Sequence, residues 1–377
     1  MAITIRPIQP TKSALKEYVQ FGIDLYRGND CYVPPLILDE VACLSPDKNP
    51  AFEHCSAQSF MAYRDGEPVG RITAIINDLA NERWGERAVR FGFVDFIDDA
   101  ETVDALFAAV ERWGRARGCT AMIGPMGFSD MDHEGMLTAG FDRMGTMATI
   151  YNYPYYPRHM ERMGFRKDAD WVEYRIAIPR EIPEKYSRIA DIVRRKYNLK
   201  VKKFTSREKI KNQYGHALFE LINEAYADLY GYVPLSRRQI DYYIDQYLGL
   251  LRLEDVCVVV DADERLVGVG IAMPSLSRAL RRSGGRLFPT GWYHLWKAMR
   301  GRVDTVDLML VAVKPEYQSK GVNALIFCDL IPCFVANGYK WAESNLELED
   351  NAHVQRQWDY FDHELHRRRR AWRRDFN

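Results

Sequence analysis

The stretch from Asp304 to Leu330, DTVDLMLVAVKPEYQSKGVNALIFCDL, constrains the fold more than any other part of the chain. Its nearly continuous apolar run, Val306 to Val313, has the length and composition of a strand buried on both faces. The run passes through Pro315 and a short polar turn into a second apolar segment of helical length. Strand, turn and helix in this order outline an anion site, because the first amides of a helix lack intrahelical acceptors and its dipole adds positive potential. Amides from Gln318 to Val322 are expected to face outward together. Gly321 offers close approach to the main chain, and Lys320 adds one exposed charge.

Length then asks for more than this one element. At 377 residues the chain exceeds what a single core usually organises, so two domains are expected. Its 52 basic residues balance 52 acidic ones, which excludes a global field drawing the molecule onto nucleic acid or an anionic membrane. The seven cysteines include no C-x-x-C pair and read as reduced thiols of a cytoplasmic protein. No basic stretch leads into an apolar run at the N-terminus, and no segment approaches a spanning length, so neither export nor a membrane is expected. The eight histidines are scattered, with neither metal-ligand pairs nor a nucleophile elbow, so no metal is expected.

Upstream, the chain reads as two passes through one pattern. A strand over residues 2–8 and a helix from about Ser13 to Tyr26 open the first pass; LKVKKF and a helix over 206–229 open the second. Asp65-Gly66 between β-rich runs predicts a hairpin. A helix carrying Val103, Leu106, Phe107, Val110 and Trp113 closes at Gly118, and a strand over 119–126 follows. Three echoes at offsets near two hundred residues support duplication: DLYRGNDCYVPP with DLYGYVPL, GEPVGRITA with ERLVGVGIA, and RGCTAMI with NGYKWAE. The expected division is residues 1–180, a connecting helix over 181–198, and residues 199–377.

The strand and turn resemble the GNAT acetyltransferase superfamily, whose signature is V-x-P followed at short spacing by Q/R-x-x-G-x-G/A. Val313, Pro315, Gln318 and Gly321 match it, and Asn323 replaces the final small residue. Asn337-Gly338 closing a helix, the strand KWAESNLELE and Asp350-Asn351 opening another helix continue the resemblance over about residues 199–365. MERMGFRKDADWVEYRI in the first half resembles the family's closing helix and strand. The first half has no phosphate turn, and at the corresponding place Asp98, Asp99 and Glu101 would repel a pyrophosphate.

The resemblance implies an α/β protein of two tandem GNAT-like domains, each a mixed, mostly antiparallel sheet flanked by helices. It implies N-acyl transfer, most simply acetyl transfer, from acetyl-CoA or another acyl-CoA to a small-molecule or peptide amine. The donor would lie on Val311, Val313, Gln318, Ser319, Lys320, Gly321, Val322, Asn323 and Asn351. Asp307, eleven residues before Gln318, stands where some members carry a general-base Glu, with Glu343 and Glu347 as competing bases at period two. Trp358 occupies the place of the family's usual acid Tyr, and Tyr360 lies two residues on.

Other segments carry their own expectations. Pro332 predicts a kink or early end in the helix after the turn. HRRRRAWRR, from His366 to Arg374, predicts a solvated terminal helix or a grip for the phosphates of CoA or nucleic acid. Tyr151, Tyr153, Tyr155 and Tyr156 could line an acceptor pocket or pack a core. The connection over 275–302 predicts a helix that covers the site or binds a partner. Two rivals to catalysis follow: a non-catalytic acyl-CoA-binding module, suggested by Trp358, and a transferase using aminoacyl-tRNA, suggested by the Arg-rich C-terminus.

Overall fold

A computed structural model of the chain describes residues 3–247, 249 and 251–376. Ala2 of the expected first strand, and Met1 and Asn377 at the ends of the expected domains, lie outside the described residues. The chain forms two compact units, and neither is a contiguous half of the sequence. One comprises Met1–Val172, Ser277–Leu295 and His366–Asn377; the other comprises Glu173–Leu276 and Trp296–Leu365.

The first unit begins with β1 (Thr4–Ile8), α1 (Lys12–Leu25) and α2 (Ile37–Cys43). Next come β2 (Cys55–Arg64), β3 (Glu67–Asn77), α3 (Asp78–Trp84), β4 (Ala88–Phe96) and α4 (Ala100–Arg115). β5 (Ala121–Gly124), β6 (Met136–Ala139) and α5 (Tyr155–Arg162) follow. β1 to β4 pair antiparallel in sequence order, and β4 then pairs parallel with β5. The β2–β3 hairpin turns at Asp65 and Gly66, with φ of 54° and 90°, as the Asp-Gly pair predicts. α4 presents the expected stripe, with Val103, Leu106, Phe107 and Val110 buried against Val89, Phe91 and Phe96 of the sheet.

The rest of the sequence repeats that order, though two of its segments, Ser277–Leu295 and His366–Asn377, belong to the first unit. β7 (Arg166–Ala177) leads into α6 (Glu184–Tyr197), β8 (Lys200–Lys202), α7 (Arg207–Ala225) and α8 (Arg237–Tyr247). β9 (Val256–Val260) and β10 (Leu266–Pro274) are followed by α9 (Ser277–Ser283) and α10 (Gly291–Arg300). β11 (Thr305–Val313), α11 (Val322–Asn337), β12 (Trp341–Glu343), β13 (Glu347–Leu348), α12 (Ala352–Gln355) and β14 (His363–Asp375) complete the chain. β8 to β11 pair antiparallel in sequence order, and β11 then pairs parallel with β12, as β4 does with β5. α11 continues past Pro332 to Asn337, so the expected early end does not occur. Packing of Leu325, Ile326, Leu330, Ile331 and Phe334 in the interior stabilises the helix through the lost hydrogen bond.

The closing strands are exchanged between the two halves of the sequence. Arg175–Ala177 of β7, expected to finish the first half, pair antiparallel with β12 of the second unit. Trp372–Asp375 of β14 pair antiparallel with β5 of the first unit. The run His366–Arg374 is therefore strand, correcting the expected solvated helix. Its arginines have internal partners: Arg367 donates to the Met144 carbonyl, Arg369 to the Ile150 carbonyl, and Arg370 makes two bonds of 2.7 and 2.8 Å to Asp170. Arg373 and Arg374 reach Glu86 and Glu111. Arg367 and Arg369 are almost wholly buried, so the run is not a free cationic surface.

Candidate active site in the second unit

The site begins where two parallel strands part. β11 pairs with β12 only from Thr305 to Asp307, opposite Trp341 to Glu343, whereas its pairing with β10 continues to Val313. The edge from Leu308 to Val313 is consequently open over about 20 Å. Met309 is an extra residue in the β10–β11 ladder, because Ile271 pairs with Leu310 and Ala272 with Leu308. Nδ2 of Asn345 donates to the Met309 carbonyl at 3.1 Å, tying the chain beyond β12 to the bulge.

Ladder alternation fixes which amides face this edge. The Lys314 amide bonds to the Val267 carbonyl at 2.9 Å, so Val313 and Val311, opposite Gly268 and Gly270, form non-hydrogen-bonded pairs with β10. Their main-chain groups turn to the open edge. The Tyr226 hydroxyl donates to the Val311 carbonyl at 2.9 Å, and Nε2 of Gln318 donates to the Val313 carbonyl at 3.1 Å. Burial pushes the Tyr226 phenol upward, so it remains a donor. Tyr226 caps α7 and was not singled out by any motif.

The turn supplies fewer outward amides than its sequence suggested. The Gln318 amide bonds to the Lys314 carbonyl at 3.1 Å and the Lys320 amide to the Tyr317 carbonyl at 3.3 Å. With its side chain also on Val313, Gln318 fastens the turn to β11 rather than offering an amide to an anion. The amides of Ser319, Gly321, Val322 and Asn323 have no acceptor among the described residues. Ser319 has φ 59° and Gly321 φ 84°, consecutive left-handed kinks separated by Lys320. A Cβ on Gly321 would come within 2.7 Å of Ile189 on α6, so glycine is required by packing as well as by conformation. Lys320 is exposed, its ammonium 5.3 Å from the rings of Tyr197 and Tyr317.

Beyond β12 the chain leaves regular structure, which corrects the period-two relation between Glu343 and Glu347. The Ser344 hydroxyl donates to the Asn345 carbonyl, and Oδ1 of Asn345 accepts from the Leu346 amide. Glu347 then resumes in β13, paired with β7. Oε1 of Glu347 accepts from the Trp358 indole at 2.8 Å, whereas its buried Oε2 has no partner among the described residues. Burial drives this carboxyl up to about 7, with the indole bond opposing the shift. Trp358 packs against Phe327 and Phe361 and also bonds a carboxyl poised near neutrality.

The remaining candidates are placed as follows. Asp307 is buried in a cross-strand row with Glu343 and Arg175, whose guanidinium lies 3.6 Å from Glu343. Asn351 caps α12, accepting from the Val354 amide at 3.3 Å. Asn323 reaches toward Gln357 at 3.5 Å. Tyr360 is about half exposed and its hydroxyl bonds to the Lys185 ammonium.

In the first unit the residues singled out from the sequence are engaged internally. Asp98 and Asp99, at the position of the turn, engage His159 and Arg64, and Asp99 caps α4. The tyrosine group is packed internally: Tyr156 stacks on Phe96 with centroids 4.1 Å apart, and its hydroxyl contacts Tyr26 at 2.9 Å.

Among the described residues no cluster of His, Cys, Asp and Glu is arranged to hold a metal ion, and no helix is long and apolar enough to cross a membrane. No protein-family model matches the chain. It is 29% identical over 324 residues to Protein YghO of Escherichia coli, covering 85% of this chain and 81% of that protein. It is 27% identical over 328 residues to a bacterial ceramide synthase of Caulobacter vibrioides, covering 84% and 82%. A tandem GNAT protein from the clavulanic acid biosynthesis pathway superposes with a TM-score of 0.57 at 14% identity, over 99% of this chain and 98% of that one. A probable N-acyltransferase from Enterococcus faecalis gives 0.52 at 10% identity, over 100% and 73%. Two units with one strand order, each with a parallel pair, and superposition over 99% of this chain on a tandem GNAT structure establish that this chain has the tandem GNAT fold.

Proposed function

We propose that this protein transfers an acyl group from acyl-CoA to an amine, with the donor held by the second unit. The observation that carries the proposal is the open edge of β11 leading into a turn with unfilled amides at Ser319, Gly321, Val322 and Asn323. The pyrophosphate sits on those amides, where oriented N–H groups and the α11 dipole stabilise charge without several side-chain cations. The pantetheine arm lies along the β11 edge beside the main-chain groups of Val311 and Val313.

The acceptor nitrogen attacks the thioester carbonyl, the carbon–sulfur bond breaks, and the CoA thiolate departs. Glu347 accepts the proton lost by the nitrogen. A carboxyl whose affinity is near neutrality suits that transfer better than an ordinary one. Asp307 and Glu343, sharing one row with Arg175, keep the strand junction in place. A ceramide synthase, by its name, forms an amide on a long-chain amino alcohol, and the relationship to one supports that acceptor class here.

The test is calorimetric titration with acetyl-CoA and long-chain acyl-CoAs, followed by mass spectrometry of sphinganine incubated with the preferred donor. The native chain is compared with Gly321→Glu and with the exposed Lys320→Glu. Donor binding lost or weakened in both, with an amide product from native protein, supports the proposal. A folded native chain that binds no acyl-CoA overturns it.

A further inference from the structure

We infer that the segment Phe288–Arg302 is a docking surface for a bilayer carrying anionic headgroups, an inference independent of the acyl-transfer proposal. Four large aromatic side chains stand in water here: Phe288 is 75% exposed, Trp292 52%, Tyr293 46% and Trp296 48%. Single exposed apolar residues are ordinary, but four within nine positions form a patch that calls for a partner.

The helix geometry collects them. At about 100° per residue, Trp292, Tyr293, Trp296, Lys297 and Arg300 of α10 fall within an arc of about 140°, opposite the buried Gly291 and Leu295. Aromatic rings and basic side chains thus share one face. Trp and Tyr favour the headgroup level of a membrane because their rings carry both apolar surface and a polar handle.

Charge selects the partner. The chain as a whole is balanced, yet between Glu264 and Asp304 it carries no acidic residue at all. Arg282, Lys297, Arg300 and Arg302 are exposed in this interval. Exposed basic residues in a stretch that contributes no acidic one, beside interfacial aromatics, match an anionic surface, where each adds attraction within a Debye length.

The patch is held firmly rather than dangling. The Gly285 carbonyl accepts from the Ile37 amide at 2.9 Å, Arg286 bonds to Gln20 at 3.0 Å, and Arg281 pairs with Asp30. The Trp292 indole bonds to the Pro289 carbonyl at 3.0 Å, fixing the tip that presents Phe288. These contacts position the aromatics before any partner arrives, which reduces the entropy cost of docking.

The full-length protein is sedimented with vesicles of phosphatidylcholine alone and of phosphatidylcholine mixed with phosphatidylglycerol. Expected is cosedimentation with the anionic vesicles only, weakening as salt rises. Phe288→Ser/Trp292→Ser/Trp296→Ser and, separately, Arg282→Glu/Lys297→Glu/Arg302→Glu should each lower partitioning by roughly tenfold or more at unchanged melting temperature. Native protein that stays in the supernatant with anionic vesicles, or aromatic variants that partition like it, would overturn the inference. Sedimentation velocity showing a native dimer that the aromatic variant abolishes would also overturn it, by assigning the face to a second copy.

Discussion

The indole nitrogen of Trp358 donates to Oε1 of Glu347 across 2.8 Å, and this bond opposes the upward shift that burial imposes on the carboxyl. Trp358→Phe keeps the packing against Phe327 and Phe361 but removes the donor. Its loss should cost about 1 kcal/mol of stability. The Glu347 carboxyl should titrate at a higher pH, moving the acidic limb of the rate profile in the same direction. Rates measured from pH 5 to 9 check this, with the native midpoint expected at about 7 if Glu347 is the base.

Glu347→Gln removes the proposed proton acceptor while conserving shape. Turnover should fall by roughly a hundredfold to ten-thousandfold, with acyl-CoA affinity little changed. Steady-state kinetics alongside calorimetry separate the two quantities. An unchanged kcat would return the role of base to another group.

Burial also raises Asp255 to about 6, Arg252 opposing the shift. A carboxyl held above its unfolded value contributes stability that is fully present below about pH 4 and is lost as pH rises through its folded value. Glu347 and Asp255 should therefore weaken the fold progressively between about pH 4 and pH 7. Glu347→Gln and Asp255→Asn should each flatten the dependence in that window. Urea denaturation of native and variant chains at pH 4.5 and 7.5 is the measurement.

Gly321 stands at φ 84° with Ile189 2.7 Å from any added Cβ. Gly321→Ala therefore combines left-handed strain with a clash and should cost about 1–3 kcal/mol. Opening the turn should also weaken acyl-CoA binding. The pair Gly321→Ala/Ile189→Ala relieves the clash alone, so partial recovery of the melting temperature is expected without full recovery of affinity.

The Tyr226 phenol, bonded to the Val311 carbonyl, fixes the open edge from outside β11. Tyr226→Phe should lower stability by about 1 kcal/mol and raise KM for acyl-CoA several-fold, leaving kcat nearly unchanged. Equal effects on both parameters would place the phenol in the chemistry instead.

Much of this fold is legible in the sequence. Asp65-Gly66 gave its hairpin because few dipeptides tolerate two positive φ values, and the stripe from Val103 to Val110 gave its helix because burial has a period. The turn at Gln318–Gly321 was legible for the same local reason, though not which of its amides remain open, since Lys314 and Tyr317 supply acceptors only in the folded turn. The arginine run misled because alternating burial of long cations requires carbonyls and carboxylates from distant parts of the chain, among them Met144, Ile150 and Asp170.

Local pattern, then, determined the strand–turn–helix of the candidate site, the duplication and the acidic residues Asp98, Asp99 and Glu101 at the corresponding place in the first half. These depend on neighbours a few residues apart or on two segments compared with each other. Tertiary structure alone decided that β7 and β14 exchange places as closing strands, that β11 parts from β12 after Asp307, and that burial raises the Glu347 carboxyl while the Trp358 indole bonds one of its oxygens. Strand partnership, splay and desolvation depend on what lies across space, and residues as far apart as Arg175 and Glu343 become neighbours only when the chain closes.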